Sequence, residues 1–179
     1  FYTSLKVCDT PQILLDVGCE QLPMLYTQKH LKNAILPPDE KNHRHGLEIE
    51  QIKRLPELLS HPVMIIDSPN RKDSIIVVTS EVDKSDNPII ASIKPNGEGR
   101  YEVENVSSNF ITSVYGRNNF SEYFRRIVQS DNLLFCDKQK SQAMFERWGE
   151  QYSELTNNLD FNIIIHQSRN IVKGMQQEN

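Results

Sequence analysis

Pro62-Val63-Met64-Ile65-Ile66, then Ser74-Ile75-Ile76-Val77-Val78-Thr79, then Ile89-Ile90-Ala91-Ser92-Ile93 are the stretches that decide the fold of this chain. Each run is short, almost unbroken in apolar character and rich in β-branched side chains, which is the pattern of a buried strand. The gaps, Asp67 to Asp73 and Glu81 to Pro88, are too short for the crossover that parallel strands need and are dense in Asp, Asn, Ser and Pro. The runs therefore read as an antiparallel meander. A fourth segment, Tyr101 to Val106, follows the turn-like Pro95-Asn96-Gly97-Glu98-Gly99 and alternates apolar with polar side chains, which gives it one wet face.

Outward from this sheet the chain reads mainly as helices. Thr10-Pro11 opens a short one that carries Ile13, Leu14 and Val17 on one face and stops at Gly18. Leu22 to Tyr26 is a brief extended piece, after which Thr27 caps a helix that ends before Pro37-Pro38. Pro37 to His45 is a polar loop. Ile49, Ile52, Leu55, Leu58 and Leu59 follow at helical spacing, and Pro56 must kink that helix or split it after Arg54, because it lacks the N–H of the ladder. Phe120 to Val128 is an amphipathic helix with Phe120, Tyr123, Phe124 and Ile127 as its stripe. Leu133 to Cys136 is one more strand, and Lys138 to Gly149 a last helix with Met144, Phe145 and Trp148 inward. The expected fold is α+β, with N-terminal helices packed on a central antiparallel β-sheet and extra helices toward the C-terminus. Residues 1–150 form one domain. Residues 151–179 form an extension, in which Phe161 to Ile165 reads either as an edge strand or as a segment that binds elsewhere, and Met175 to Asn179 as a frayed end.

The 179 residues suffice for one hydrophobic core without staples, and the formal net charge of −4 lacks the basic balance of a nucleic-acid coat protein. An enzyme acting on nucleic acid needs only a local cationic cleft, so that class stays open. Cys8, Cys19 and Cys136 are odd in number and widely spaced, which argues against a disulfide framework or a zinc site and suits a reducing compartment. No run approaches the roughly 18 apolar residues of a membrane helix, so no membrane partner is expected. The start at Phe1 suggests an excised domain or a processed fragment. There is no phosphate-binding G-x-x-x-x-G-K-S/T loop, no G-x-G-x-x-G after a strand, no G-x-S-x-G elbow and no metal-ligand constellation, so no cofactor is expected.

Three places could carry chemistry. His43-Arg44-His45-Gly46 puts two imidazoles in a polar loop, and imidazole is the side chain best suited to moving protons near neutral pH. The competing reading is a pair of solvated loop histidines. Thr112-Ser113-Val114-Tyr115-Gly116-Arg117-Asn118-Asn119 leaves the sheet for a helix, so that hydroxyls, a guanidinium and free backbone N–H groups converge in a way that suits a phosphate. The competing reading makes Ser113 and Tyr115 ordinary strand residues, Gly116 a turn and Asn119 a cap. Lys138 and Lys140 at the opening of the last helix could hold a polyanion, or form a solvated face. His30, between Lys29 and Lys32, reads as a surface residue, His61 as a helix-end residue, and His166 has no assigned role.

The order of segments resembles the C-terminal domain of phage MuF-type head proteins, over roughly Leu5 to Phe145. The match is carried by Thr10-Pro11-x-x-Leu14, Leu22-Pro23-Met24, His45-Gly46-Leu47, Leu55-Pro56, Pro62-Val63, Ser113-Val114-Tyr115-Gly116-Arg117 and Asn132-Leu133-Leu134-Phe135 with Lys138 and Lys140. That family is similar to the barnase/EndoU/colicin/RelE-like nucleases. Ser107 to Ile111 reads as an insertion ahead of the S-x-Y segment. The resemblance implies a metal-independent endoribonuclease toxin or effector of phage or prophage origin, with His45 as acid or base, Arg117 as electrostatic clamp, and Ser113 and Tyr115 as hydrogen-bond donors or second proton carrier. His30 and Lys138 are second-rank contributors to substrate binding. The implied partners are RNA, an immunity or antitoxin protein and phage structural proteins, and the implied place of action is the cytoplasm of a host or target cell, with delivery alongside the phage particle. The alternative is a non-enzymatic, phage-associated protein-binding module. Transfer of ADP-ribose, a third option, has no R…S-T-S…E-x-E series to support it.

Overall fold

The computed structural model describes residues 3–101, 104–150 and 165–171, with side chains omitted at 99–101. Its elements in chain order are β1 (Ser4–Asp9), α1 (Gln12–Asp16), β2 (Pro23–Thr27), α2 (Gln28–Ile35), α3 (Ile49–Lys53), α4 (Leu55–Ser60), β3 (Met64–Asp67), β4 (Ile75–Val82), β5 (Pro88–Tyr101), β6 (Glu104–Gly116), α5 (Phe120–Gln129), β7 (Leu133–Cys136) and α6 (Lys138–Arg147). The strands form one seven-stranded sheet in the order β1-β2-β6-β5-β4-β3-β7. The meander β3-β4-β5-β6 is antiparallel as the short gaps require, and so are the joints β1·β2 and β3·β7. The joint between β2 and β6 is parallel. The fold is thus mixed α+β with a mostly antiparallel sheet.

The unbroken apolar runs follow from burial on both faces of the sheet. Ile65, Ile75, Val77, Ile89, Ala91 and Ile93 face a core shared with Leu14, Leu47, Leu55 and Leu59 of the N-terminal helical side. Their neighbours Met64, Ile66, Ile76, Val78 and Ile90 face the opposite core, with Phe120, Phe124, Ile127 and Phe145 of α5 and α6. Phe124 and Phe145 are fully buried with ring centroids 5.1 Å apart, and each such side chain contributes about 1.5–3 kcal/mol by leaving water. The helix expected to break at Pro56 divides into α3 and α4 at Arg54, with Pro56 in the first turn of α4 where its missing N–H costs nothing. Thr27 caps α2 by accepting from the His30 N–H at 3.2 Å. Among the described residues no disulfide joins Cys8, Cys19 or Cys136. Among the described residues, no helix is long and apolar enough to cross a membrane.

The structure differs from the sequence reading in three places. The turn assigned to Pro95–Gly99 is a bulge inside β5: Lys94 pairs with Phe110 and Gly97 with Ser108, so one extra residue is absorbed and Asn96 takes φ 55°. The strand continues to Tyr101, and β6 starts at Glu104 rather than ending at Val106. Second, Ser107 to Ile111 lies inside β6, in the part that joins the N-terminal hairpin. The fully buried Asn109 donates to Thr10 Oγ1 at 2.8 Å and to the Glu20 carbonyl at 2.9 Å, and its own Oδ1 accepts from the Asn96 N–H. Third, β1 is an edge strand whose sequence gave no sign, since only Ser4 of its six residues is buried. Phe161 to Ile164 and Met175 to Asn179 lie outside the described residues.

The segment 165–171 packs back onto the domain. His166 N–H donates to the Leu134 carbonyl, Ser168 N–H to that of Val17, and Ile171 enters the core with Leu14 and Val17.

Candidate functional site

The loop between α2 and α3 is built around the exposed carbonyls that every helix leaves at its C-terminus. His45 N–H donates to Asn33 O at 2.9 Å, Gly46 N–H to Leu36 O at 2.8 Å and Leu47 N–H to Ala34 O at 2.8 Å. Asp39 and Arg44 exchange backbone hydrogen bonds across the loop, and His43 sits in the left-handed region at φ 54°. Gly46 is also left-handed, at φ 64°, and a Cβ there would lie 2.6 Å from Pro38 Cδ. Gly46→Ala should therefore cost about 1–3 kcal/mol, through positive φ and overpacking together. Thermal unfolding should show this as a drop of several degrees.

The second contributor is β6. Ser113 and Tyr115 are two apart and share a side of the strand, and Arg117 follows in the same rhythm. Ile76, Ser92 and Ser113 lie in register across β4, β5 and β6. Between Ser92 and Ile93 the register slips by one, because Thr112 is a bulged residue on β6. Bulges re-aim side chains, and here Thr112 and its neighbour Ser113 both reach the same cavity. Gly116 allows the close approach of the β4–β5 turn: a Cβ would meet Asp83 Cγ at 2.6 Å.

These pieces enclose a cleft of about 720 Å³ lined by His30, His45, Ser113, Tyr115 and Arg117, five of the six residues singled out from sequence. The His45 ring leans on the Tyr115 ring, with centroids 5.2 Å apart and 30° between planes. Arg117 lays its guanidinium over the Tyr123 ring at 4.0 Å, and its buried Nε has no hydrogen-bond partner among the described residues. Burial pushes the Tyr123 phenol up to about 12, so it stays neutral and leaves the Arg117 charge uncancelled. His30 comes from α2, set edge-on to Phe110 at 6.4 Å. Lys138 does not line this cleft. It opens α6 beyond β7, at the far end of the strand order from β2 and β6. The N-terminus of α5 is not there either: Asn119, Phe120 and Ser121 line a separate cavity of about 900 Å³ beside Trp148, and Asn119 makes no side-chain cap.

Sequence reasoning missed Lys29, Asn33, Asn70 and Arg71, while His43, one of the two loop imidazoles it raised, is in the lining. Lys29 had a signal, its place beside His30. Arg71 had none, because a turn between two strands gives no hint of which edge it will shade. With Lys29, Arg71 and Arg117 the cleft holds three permanent cations and three imidazoles, and among the described residues no Asp or Glu lines it. This stands against a net charge of −4 for the whole chain. Among the described residues, no three His, Cys, Asp or Glu side chains gather as a metal-binding group.

Both cleft histidines at the α2 end are held below the ordinary value of 6.5. For His30 the largest cause is burial, then the charge of Lys29, with a backbone hydrogen bond at Ile111 pulling the other way. For His45 it is burial, then the neighbouring His43. Both rings are thus mainly neutral at pH 7, the form that can accept a proton. A folded-state value below the unfolded one means that the unfolded chain binds more protons in between. Stability from this source is therefore complete above about pH 6.5 and is lost as the pH falls toward the folded values. Denaturant unfolding from pH 7.5 downward should show that decline, and a His30→Gln/His45→Gln double variant should flatten it.

The model of the phage MuF-C-terminal domain family matches residues 38–143, which include His45, Arg71, Ser113, Tyr115 and Arg117 but not Lys29 or His30. No curated protein and no solved structure matches the chain. Since the match spans more than half of the sequence, the chain belongs to the phage MuF C-terminal domain family.

Proposed function

We propose that this phage-associated domain is a metal-independent endoribonuclease, a toxin or effector that cleaves RNA by attack of the 2′-hydroxyl on the adjacent phosphate. In that reaction the 2′-oxygen forms a bond to phosphorus, its proton passes to His45, and the bond to the 5′-oxygen breaks as that oxygen is protonated. Tyr115 or Ser113 delivers the second proton or donates to the non-bridging oxygens, and Arg117 holds the negative charge that grows in the phosphorane. His30 and Lys29 add to the field around the phosphate. The similarity to barnase/EndoU/colicin/RelE-like nucleases is part of this proposal, and so are RNA as substrate, an acidic immunity protein as antagonist and the cytoplasm of a target cell as the place of action.

The observation that carries the reading is the composition of the cleft: three fixed cations and three imidazoles, with no carboxylate among the described lining residues, in a chain of net negative charge. A surface made to dock a protein partner would be expected to be broader and more apolar. The test is a short RNA compared with the same strand carrying a single 2′-deoxy nucleotide at the cleavage position. Cleavage of the first and not of the second is expected. Equal cleavage of both would exclude attack by the 2′-oxygen, and cleavage of neither would overturn the ribonuclease reading.

A further inference from the structure

The segment 165–171 lies beyond the residues matched by the family and far from the cleft in sequence, yet it is tied to the loop that brings Arg71 to the cleft. That loop, residues 68–74, closes on itself: Ser68 N–H donates to Ser74 O at 3.0 Å, Ser74 N–H to Arg71 O at 3.2 Å, and Arg71 N–H to Ser68 Oγ at 3.2 Å. Closing this way turns the carbonyls of Ser68, Arg71 and Ser74 inward. Ser74 O and Arg71 O each accept once inside the loop, and a carbonyl oxygen can accept twice. Asn170 adds a donor that reaches all three. Its side-chain NH₂ lies 2.7 Å from Ser74 O, 3.2 Å from Arg71 O and 3.4 Å from Ser68 O. Just before it, the buried Asp67 at the end of β3 accepts from Ser168 Oγ at 2.5 Å and from the Arg169 N–H at 2.9 Å. Ser168 Oγ also accepts from the Ile171 N–H, which fixes the single helical turn at 169–171.

We propose that Asn170, seated by the Asp67–Ser168 hydrogen bond, is a positioning residue that holds the 68–74 loop so that the exposed Arg71 meets a backbone phosphate of a single-stranded nucleic acid bound in the cleft. This rests on the ribonuclease reading for its ligand, but not on catalysis. Asn170 does not itself line the cleft, and it reaches two residues that do, Ser68 and Arg71, only through their backbone carbonyls. It acts through the Arg71 backbone, and the loss of its donor frees the loop without removing any charge.

The experiment measures binding of a non-cleavable 2′-deoxy oligonucleotide by the full chain over a range of salt, for the parent, Asn170→Ala, Arg71→Ala and the double variant. Arg71→Ala should weaken binding about five- to tenfold at low salt and flatten the log–log salt dependence by about 0.7, the share of one phosphate in a single strand. Asn170→Ala should do much the same, and the double variant should be no worse than Arg71→Ala alone. A purely structural role would leave the salt slope at the parent's value. Asn170→Asp, which keeps the size but puts an acceptor against three carbonyls, is read beside it in case the alanine variant does not fold. Parent-like affinity and slope for Arg71→Ala would overturn the proposal whatever the Asn170 variants do, as would effects of the two substitutions that multiply. If the oligonucleotide binds with this coupling but RNA is not cut, the positioning role stands and the ribonuclease reading falls. If the parent does not bind the oligonucleotide, both fall.

Discussion

Replacing His45 by Ala is expected to lower RNA cleavage by about a hundredfold or more, within the usual range for loss of a positioned acid–base group. The expectation comes from where the imidazole is and how it is held. Its backbone N–H is fixed to the end of α2, its ring rests on Tyr115 in the cleft, and burial with His43 nearby keeps it mostly neutral at pH 7. A neutral imidazole can take the 2′-proton. The parent's kcat/KM should therefore rise with pH on its acidic side, with a midpoint below 6.5, and this limb should vanish in the variant. The loop is fastened by backbone hydrogen bonds at 45–47 rather than by the ring, so thermal unfolding should stay close to that of the parent. A His45→Ala protein that cuts RNA as fast as the parent would remove His45 from the mechanism.

Arg117→Ala should have an effect of similar size, about a hundred- to a thousandfold in kcat, as is common when one donor to a developing oxyanion is lost. Its guanidinium is pre-set by stacking over the neutral Tyr123 ring, and its buried Nε has no partner among the described residues. A buried donor without a partner carries a desolvation cost that an incoming phosphate oxygen can relieve. Arg117→Lys separates charge from geometry. It keeps the cation but loses the planar fork and most of the stacking, so partial activity is expected, with the deficit in kcat more than in KM. Full activity in Arg117→Ala, or a loss that merely follows a fall in melting temperature, would contradict the assignment.

The fold was legible where local pattern and tertiary burial agree. The runs at 63–66, 74–79 and 89–93 had to be strands buried on both faces, and the periodic helices at 120–129 and 138–147 had only one apolar stripe to bury. It was not legible where one backbone feature stood in for another. Pro95-Asn96-Gly97 carries turn residues, but a bulge uses the same residues, and only the partner strand decides between them. The parallel joint of β2 with β6 pairs residues 85 positions apart, supported by the buried amide of Asn109 on Thr10 and Glu20, and an asparagine in a polar stretch gives no sign of that.

The site was legible by residue type rather than by place. His45 and the Ser113-Val114-Tyr115-Gly116-Arg117 segment stand out because imidazole, hydroxyl and guanidinium next to a strand end suit phosphate chemistry, and they do line one cleft. Lys138 stood out for the same reason but sits elsewhere, since charge at a helix start says nothing about which side of the sheet it will serve. Arg71 and Asn170 were invisible: one lies in a turn, the other beyond the domain boundary read from sequence, and their connection exists only once the chain has folded back on itself.

The most direct test of the central claim is the chemistry of the product ends. The purified chain is incubated with a defined RNA in excess chelator, and the fragments are analysed by mass. Fragments with a 2′,3′-cyclic phosphate on one side and a 5′-hydroxyl on the other are predicted, because a 2′-oxygen nucleophile leaves no other pair. Intact RNA, or fragments ending in 5′-phosphate, would contradict it.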